Sequence, residues 1–294
     1  MSSFENPVVI SCSISGAIAN RDQCPAIPYT PAEYAAEARR AVDEGASMIH
    51  IHARRPDGTP SYEIEDFRAI TEAILAEVDD VIINFSTGAI GVSLDRRIAY
   101  LRALRPDVAA LNMGSMNYAK YSPKRKDFVF QTVFANPFDE IIAFLRVMGE
   151  EGIKPEHECF DLGHIGSLEP LVDMGVLHPP LHVSCVMGVT GGVPPTARNL
   201  AAMADNVPAG SHWGVIGISR RQWMLVAAAL TLGGSIRVGL EDNFYLPDAT
   251  MARSNGDLIA QARRMTEDVG RRAATVAEAR EVLGVPRRER AVAR

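Results

Sequence analysis

Short apolar runs alternate with stretches of helical periodicity along the whole chain. The runs are PVVISCSI from Pro7, SMIHIHA from Ser47, VIINFST from Val81, DVAALNM from Asp107, PEHECFD from Pro155, PLHVSCV from Pro180, HWGVIGI from His212 and SIRVGLE from Ser235. Helical patterns begin near Pro31, Ile64, Leu94, Pro137, Leu168, Pro195, Arg221 and Ala252. Strands that alternate with helices imply βαβ units and a parallel sheet. Eight such units predict an α/β fold, a closed (β/α)8 TIM barrel, with residues 1–294 forming one domain. A doubly wound open sheet is the main rival. Against it, no G-x-G-x-x-G follows the first run and no P-loop follows any of them.

Local signals support this parse. Thr30-Pro31-Ala32-Glu33 reads as a capping box with proline at the first helical position. Thr275-Val276-Ala277-Glu278 is a second capping box, opening a short C-terminal helix over about 275–284, and the tail VPRRERAVAR reads as a frayed end. The longest connection runs from Asn112 to Asn136, and a loop of that length is usually functional or partly structured.

Composition narrows the class. Of 294 residues, 47% are hydrophobic, enough for one large core. The formal charge is −6 with both signs mixed along the chain, so no basic field invites nucleic acid. Cys12, Cys24, Cys159 and Cys185 form no C-x-x-C pair, which suits reduced thiols in a cytoplasmic protein. The N-terminus does not read as a signal peptide, and the longest apolar stretch, Trp223 to Leu232, is too short to span a bilayer, so no membrane partner is expected.

The chemistry concentrates at the ends of the runs. His50 and His52 close the second run, and strand alternation points both side chains the same way, inward at the C-terminal rim of a barrel. Two imidazoles so placed can chelate one metal ion; the competing reading is a pair of buried, hydrogen-bonded histidines. In the eighth run Arg237, Gly239 and Glu241 share parity, so Glu241 can supply a third ligand and leave a position open for water or substrate. Asp242 follows, as a general base or as a partner for Arg237; the three charges could also form only a rim salt bridge.

Other polar positions are weaker signals. Glu156 and Glu158 share parity in the fifth run; either could neutralise Arg237, and one could merely cap the barrel floor. Ser86, in Asn84-Phe85-Ser86-Thr87-Gly88, could bond a substrate carbonyl or carboxylate, although such a sequence often only makes a turn. Gly188-Val189-Thr190-Gly191-Gly192 could cradle an anion on its backbone N–H groups. His164 and His182 are further metal candidates, more often core or loop histidines, while His157 should face the helices. Lys120, Lys124, Arg125 and Lys126 form either a solvated face or a contact for a polyanionic cosubstrate.

The segments HIHARRPDGTPS, NFSTG, ALNMGSMNY, IKPEHECFD, WGVIGISR and GLEDN occur in this order at these elements. Together they resemble the β-keto acid cleavage enzymes, from about residue 8 to 285. The resemblance implies a zinc-dependent TIM-barrel acyltransferase, with other divalent metals tolerated by such ligands, working as a cytoplasmic homo-oligomer, a tetramer favoured. Such enzymes condense a small-molecule β-keto acid with acetyl-CoA as cosubstrate, move the CoA within the adduct, and release acetoacetate and a new acyl-CoA. His50, His52 and Glu241 match the metal ligands; Ser86, Glu158, Arg237 and Asp242 match the catalytic residues. Asp242 would remove the proton that starts the Claisen step, Glu158 would hold Arg237, and Ser86 would position the substrate. Ser86, Thr87, Gly88, Asn112 and Ile18 make up the expected substrate-binding set.

Two positions depart from the family pattern. Members acting on an amino-bearing substrate carry a glutamate after the first strand, where this chain has Ile18. Where a threonine can precede Leu-Asn-x-Gly, this chain has Ala110. Both point to a substrate with a neutral or apolar tail. The alternative function is a zinc hydrolase of the amidohydrolase type, using His164, His182 and Asp242, although that superfamily places its HxH on the first strand and here a full strand and helix precede it. A non-catalytic barrel that binds an acyl ligand or metal is a third reading.

Overall fold

The structure is a computed structural model and describes residues 6–287. Among the described residues ten strands form: β1 (Ile10–Ser13), β2 (Met48–Ile51), β3 (Ile82–Ser86), β4 (Val108–Asn112), β5 (Met116–Ser122), β6 (Asp127–Phe134), β7 (Lys154–Cys159), β8 (His182–Met187), β9 (His212–Gly217) and β10 (Ser235–Val238). Eight of them, all but β5 and β6, pair in parallel around a closed ring in which β10 returns to β1. This is the (β/α)8 TIM barrel that the alternating pattern predicts.

The helices are α1 (Pro31–Asp43), α2 (Ile64–Glu77), α3 (Leu94–Leu104), α4 (Phe138–Glu150), α5 (Leu162–Gly166), α6 (Leu168–Asp173), α7 (Ala197–Asp205), α8 (Gln222–Thr231), α9 (Asn255–Asp268) and α10 (Val276–Leu283). Both predicted capping boxes form, Thr30 with Glu33 and Thr275 with Glu278. Outward strand residues pack under the helices: Phe85 of β3 lies 4.8 Å from the Phe67 ring, which stacks on Tyr100 at 4.3 Å. Burying one such ring contributes about 1.5–3 kcal/mol. The helix α10 closes the opposite end, where Ala279, Leu283 and Val285 pack on Val9, Met48, Ile82 and Val108. Arg280 fixes it there through Asp107, whose other oxygen accepts the Ile83 N–H at 2.9 Å. Of the tail read as frayed, residues 288–294 lie outside the described residues.

The long connection after β4 is not a loop. β5 and β6 form an antiparallel hairpin, Met116 opposite Phe134, at the barrel mouth. Its register was hidden because Tyr121, Phe128, Val129 and Val133 are exposed, so no one-faced alternation marks it. The glycine-rich segment after β8 serves this hairpin. A Cβ on Gly191 would lie 1.7 Å from the Asn117 carbonyl oxygen, so only glycine lets the two segments meet. Thr190 bridges to Ala119 there. Among the described residues no helix is long and apolar enough to cross a membrane, and the four cysteines are free and buried.

Candidate active site

The C-terminal ends of the barrel strands surround a cavity of about 390 Å³. His52, Ser86, Gly88, Asn112, Glu158, Arg237, Glu241 and Asp242 line its floor, and Ile18 stands at its mouth. The substrate-binding, catalytic and metal candidates from the sequence therefore converge from the ends of β2, β3, β4, β7 and β10, with two exceptions: His50 is buried within the candidate metal group and does not line the cavity, and neither does Thr87. Thr87 is fully buried and turned away; its hydroxyl donates to the Ala110 carbonyl at 2.6 Å. Its contribution is to tie β3 to β4, and it does not line the cavity.

His50, His52 and Glu241 form the one group of three ligand-type side chains able to hold a metal ion among the described residues, their donor atoms all within 4.8 Å of one another. Glu241 Oε2 lies 3.7 Å from His50 Nε2, and Oε1 lies 3.5 Å from His52 Nε2. Burial pushes the His50 imidazole down to about 4, so it is neutral at pH 7 as a metal ligand must be. Burial alone would raise the Glu241 carboxyl, but His52, Arg237 and His50 outweigh it and hold the group ionised. Glu241 Oε2 and His50 Nδ1 are buried with no hydrogen-bond partner. A buried carboxylate oxygen without a donor is a costly arrangement that a cation between these groups would relieve. The donor set thus fits a divalent ion.

Arg237 gathers three carboxylates beside this group. It forks onto Asp242, Nε to Oδ2 at 3.0 Å and Nη2 to Oδ1 at 2.8 Å. It also donates to Glu158 at 3.0 Å and to Glu241 at 3.1 Å. Burial raises the Glu158 carboxyl to about 8 despite Arg237, with Glu156, Glu241 and Asp242 adding to the rise. Burial likewise raises Asp242, against the pull of Arg237. One guanidinium thus serves three carboxyl groups.

Strict strand parity does not explain how Glu241 and Asp242 both face the cavity, since neighbours on a strand point to opposite sides. The reason is that β10 ends at Val238. A turn follows, in which the Asp242 and Asn243 N–H groups donate to the Gly239 carbonyl. Gly239 takes φ of 154°, and a Cβ there would lie 2.2 Å from the Ser13 carbonyl oxygen. The turn brings both acids inward at successive positions.

Several residues escaped the sequence reading. Ser13, at the end of β1, donates its hydroxyl to Asp242 Oδ2 at 2.6 Å. Tyr34 of α1 donates to the His52 carbonyl at 2.6 Å and fixes the backbone of that histidine. Arg54 donates to the carbonyls of Ser15, Gly16, Ala19 and Gly58, and so holds the loop that carries Ile18. An arginine two residues after His52, just ahead of the Pro56-Asp57-Gly58 turn, was the available signal. Tyr118 and Phe134 reach the cavity from the hairpin. The basic residues Lys120, Lys124, Arg125 and Lys126 sit along and at the tip of the same hairpin, and none of them lines the cavity.

The further histidines stay apart from the candidate metal group. His164 accepts the Phe160 N–H on Nδ1 at 3.2 Å. His182 does face inward, but below the floor, with its ring 5.6 Å from that of His212. His157 faces outward as parity predicts, its Nδ1 2.7 Å from the His182 carbonyl. Glu156 also lies below the floor, bonded to Asn84 and Ser184.

Comparison with known proteins agrees with this layout. Residues 7–285 match the family described as beta-keto acid cleavage enzyme. The chain is 37% identical to a 3-keto-5-aminohexanoate cleavage enzyme of Fusobacterium nucleatum subsp. nucleatum, over 95% of this chain and 98% of that protein. It is 34% identical to a 3,5-dioxohexanoate:acetyl-CoA acetone transferase of Paraburkholderia graminis, over 94% of this chain and 95% of that protein. Among solved structures, the apo structure of ObcA superposes with a TM-score of 0.75 at 20% identity, over 89% of this chain and 66% of that one, a likeness of fold.

Proposed function

The chain belongs to the β-keto acid cleavage enzyme family, and from that premise we propose that it reacts a β-keto acid with a neutral or apolar tail with acetyl-CoA, using zinc held by His50, His52 and Glu241. The products are acetoacetate and a new acyl-CoA. The carrying observation is that the Arg237–Asp242 fork shares one cavity floor with His52 and Glu241, which His50 joins in the candidate metal group from a buried position beside Glu241. A reduced cytoplasmic setting and a homo-oligomer belong to the same reading.

Zinc, when bound, supplies a Lewis acid that favours the negative charge developing on a substrate oxygen. The chain's own residues do the rest. Asp242 takes the proton from the carbon between the substrate's keto and carboxylate groups. Arg237 and Ser13 fix the carboxylate that receives it, and burial strengthens it as a base. The carbanion attacks the acetyl thioester carbonyl, forming a carbon–carbon bond and expelling the CoA thiolate. That thiolate adds to the original keto carbon, the older carbon–carbon bond breaks, and acyl-CoA leaves. The remaining acetoacetate carbanion recovers the proton from Asp242. Ser86, Gly88 and Asn112 lie where a carboxylate or thioester carbonyl can be held, and Glu158 steadies Arg237 from the far side.

The walls support the choice of tail. Above the floor the cavity is bounded by Ile18, Ile90, Phe134, Phe160, Val189 and Ile218, and every carboxylate and guanidinium that lines it lies on the floor. An ammonium on the tail would meet no counter-charge there. The hydrolase alternative is less well supported, because neither His164 nor His182 joins the His50, His52 and Glu241 group. The test is a panel of β-keto acids with acetyl-CoA, reading acetoacetate. Simple aliphatic β-keto acids should turn over faster than 3-keto-5-aminohexanoate; the reverse order sinks the assignment of the tail.

A further inference from the structure

Beneath the cavity floor lies a buried polar network that the reaction above does not use. Glu156, 2% exposed, accepts hydrogen bonds from Asn84 Nδ2 and from Ser184 Oγ, both at 2.5 Å. A carboxylate only accepts, so it dictates which way the Asn84 amide faces: the NH2 turns to Glu156 and the oxygen turns away. That oxygen, Asn84 Oδ1, is buried and has no partner.

The neighbour of Asn84 across the parallel ladder is His50, its Cα partner between β3 and β2. The two side chains emerge on the same inward face. His50 presents Nε2 towards Glu241, so Nδ1 is its remaining nitrogen, and it too is buried and unpartnered. In a neutral imidazole that ligates through Nε2, the proton sits on Nδ1 and needs an acceptor. Paired strand positions thus hold one orphaned acceptor and one orphaned donor. Metal-bound histidines almost always give their second N–H to such an acceptor, which sets the ring's tautomer and orientation.

We propose that Asn84, anchored by Glu156, is a positioning residue for His50 and sets the tautomer in which that histidine ligates. The proposal rests on the reading of His50 as a metal ligand. Ser184 completes the device by taking up the other oxygen of Glu156.

Zinc affinity measured by competition with a chromophoric chelator tests it, on the full chain, for wild type, Asn84→Ala, Glu156→Gln, the double variant Asn84→Asp with Glu156→Gln, and His52→Ala. Asn84→Ala should weaken zinc binding about 10- to 100-fold. Glu156→Gln alone should weaken it less, because the amide of Asn84 can then turn either way. The double variant should recover most of the wild-type affinity, because it restores an acceptor towards His50 and a donor towards that acceptor. A merely structural role predicts no such recovery. Should Asn84→Ala fail to fold, Glu156→Gln against the double variant carries the same comparison. Unchanged affinity in Asn84→Ala, or no recovery in the double variant, overturns the proposal while leaving the metal site standing. Wild type that binds no zinc, or His52→Ala that binds as tightly as wild type, overturns the metal reading and this proposal with it.

Discussion

Arg237 holds Asp242 in a two-pronged grip, Nε on one carboxylate oxygen at 3.0 Å and Nη2 on the other at 2.8 Å. The grip fixes the plane of the carboxylate while Ser13 secures it from the side of β1. A lysine at 237 keeps the charge and loses the fork. Arg237→Lys should lower kcat about 10²-fold, the equivalent of one or two charge-assisted hydrogen bonds, with KM changing far less. Steady-state acetoacetate formation measures this, with circular dichroism to show that the fold persists. A variant within threefold of wild type would show that the fork is dispensable.

Removing the metal should silence the enzyme and restoring it should revive it. Dialysis against a chelator is expected to abolish acetoacetate formation, and zinc should return it. Binding only to the folded state also raises stability, by about 2.7 kcal/mol at a hundredfold excess over Kd. Differential scanning fluorimetry should show the melting temperature rising with zinc in wild type and not in His52→Ala. Full activity in extensively chelated protein counts against the ligand set.

Ile18 stands at the cavity mouth, 63% exposed, on the loop that Arg54 clamps. Ile18→Glu should shift the ratio of kcat/KM towards an amino-bearing substrate by about 2- to 5-fold. The shift is modest because an exposed ion pair contributes only about 0–1 kcal/mol. Competition between an aliphatic and an amino-bearing β-keto acid reads the ratio directly. No movement in it would place the tail elsewhere in the cavity.

Acid should destabilise the fold before it protonates most carboxylates. Burial pushes the imidazoles of His157 to about 4 and of His182 and His212 to about 3. Below the ordinary histidine value of about 6.5, the unfolded chain takes up protons that the folded chain cannot. Stability is therefore intact above pH 6.5 and falls as the pH drops towards 4, at about 1.4 kcal/mol per pH unit for each such histidine. Urea midpoints at pH 7, 6 and 5 should decline steadily, and His212→Asn should reduce the slope. A flat profile over that range would contradict the burial of neutral imidazoles.

Much of this protein is written locally. Alternating periods mark eight strands and the helices between them, Thr30 and Thr275 mark helix starts, and the spacing of His50 and His52 sets both on one face. Such features depend on a few neighbouring residues, so they survive reading in one dimension. What brings Ser13 to Asp242, or His52 to Glu241, is the closure that joins β1 to β10 across more than two hundred residues. The turn after Val238 aims two successive acids at one cavity, against strand alternation. The β5–β6 hairpin carries no amphipathic signature, and Thr87 turns away from the site because the Ala110 carbonyl is within its reach. Local pattern is enough for the eight barrel strands, for most helices between them and for the ligand-type residues, but not for the hairpin. Which side chains share the cavity floor emerges in the folded chain, because it depends on distances between segments that no local period encodes.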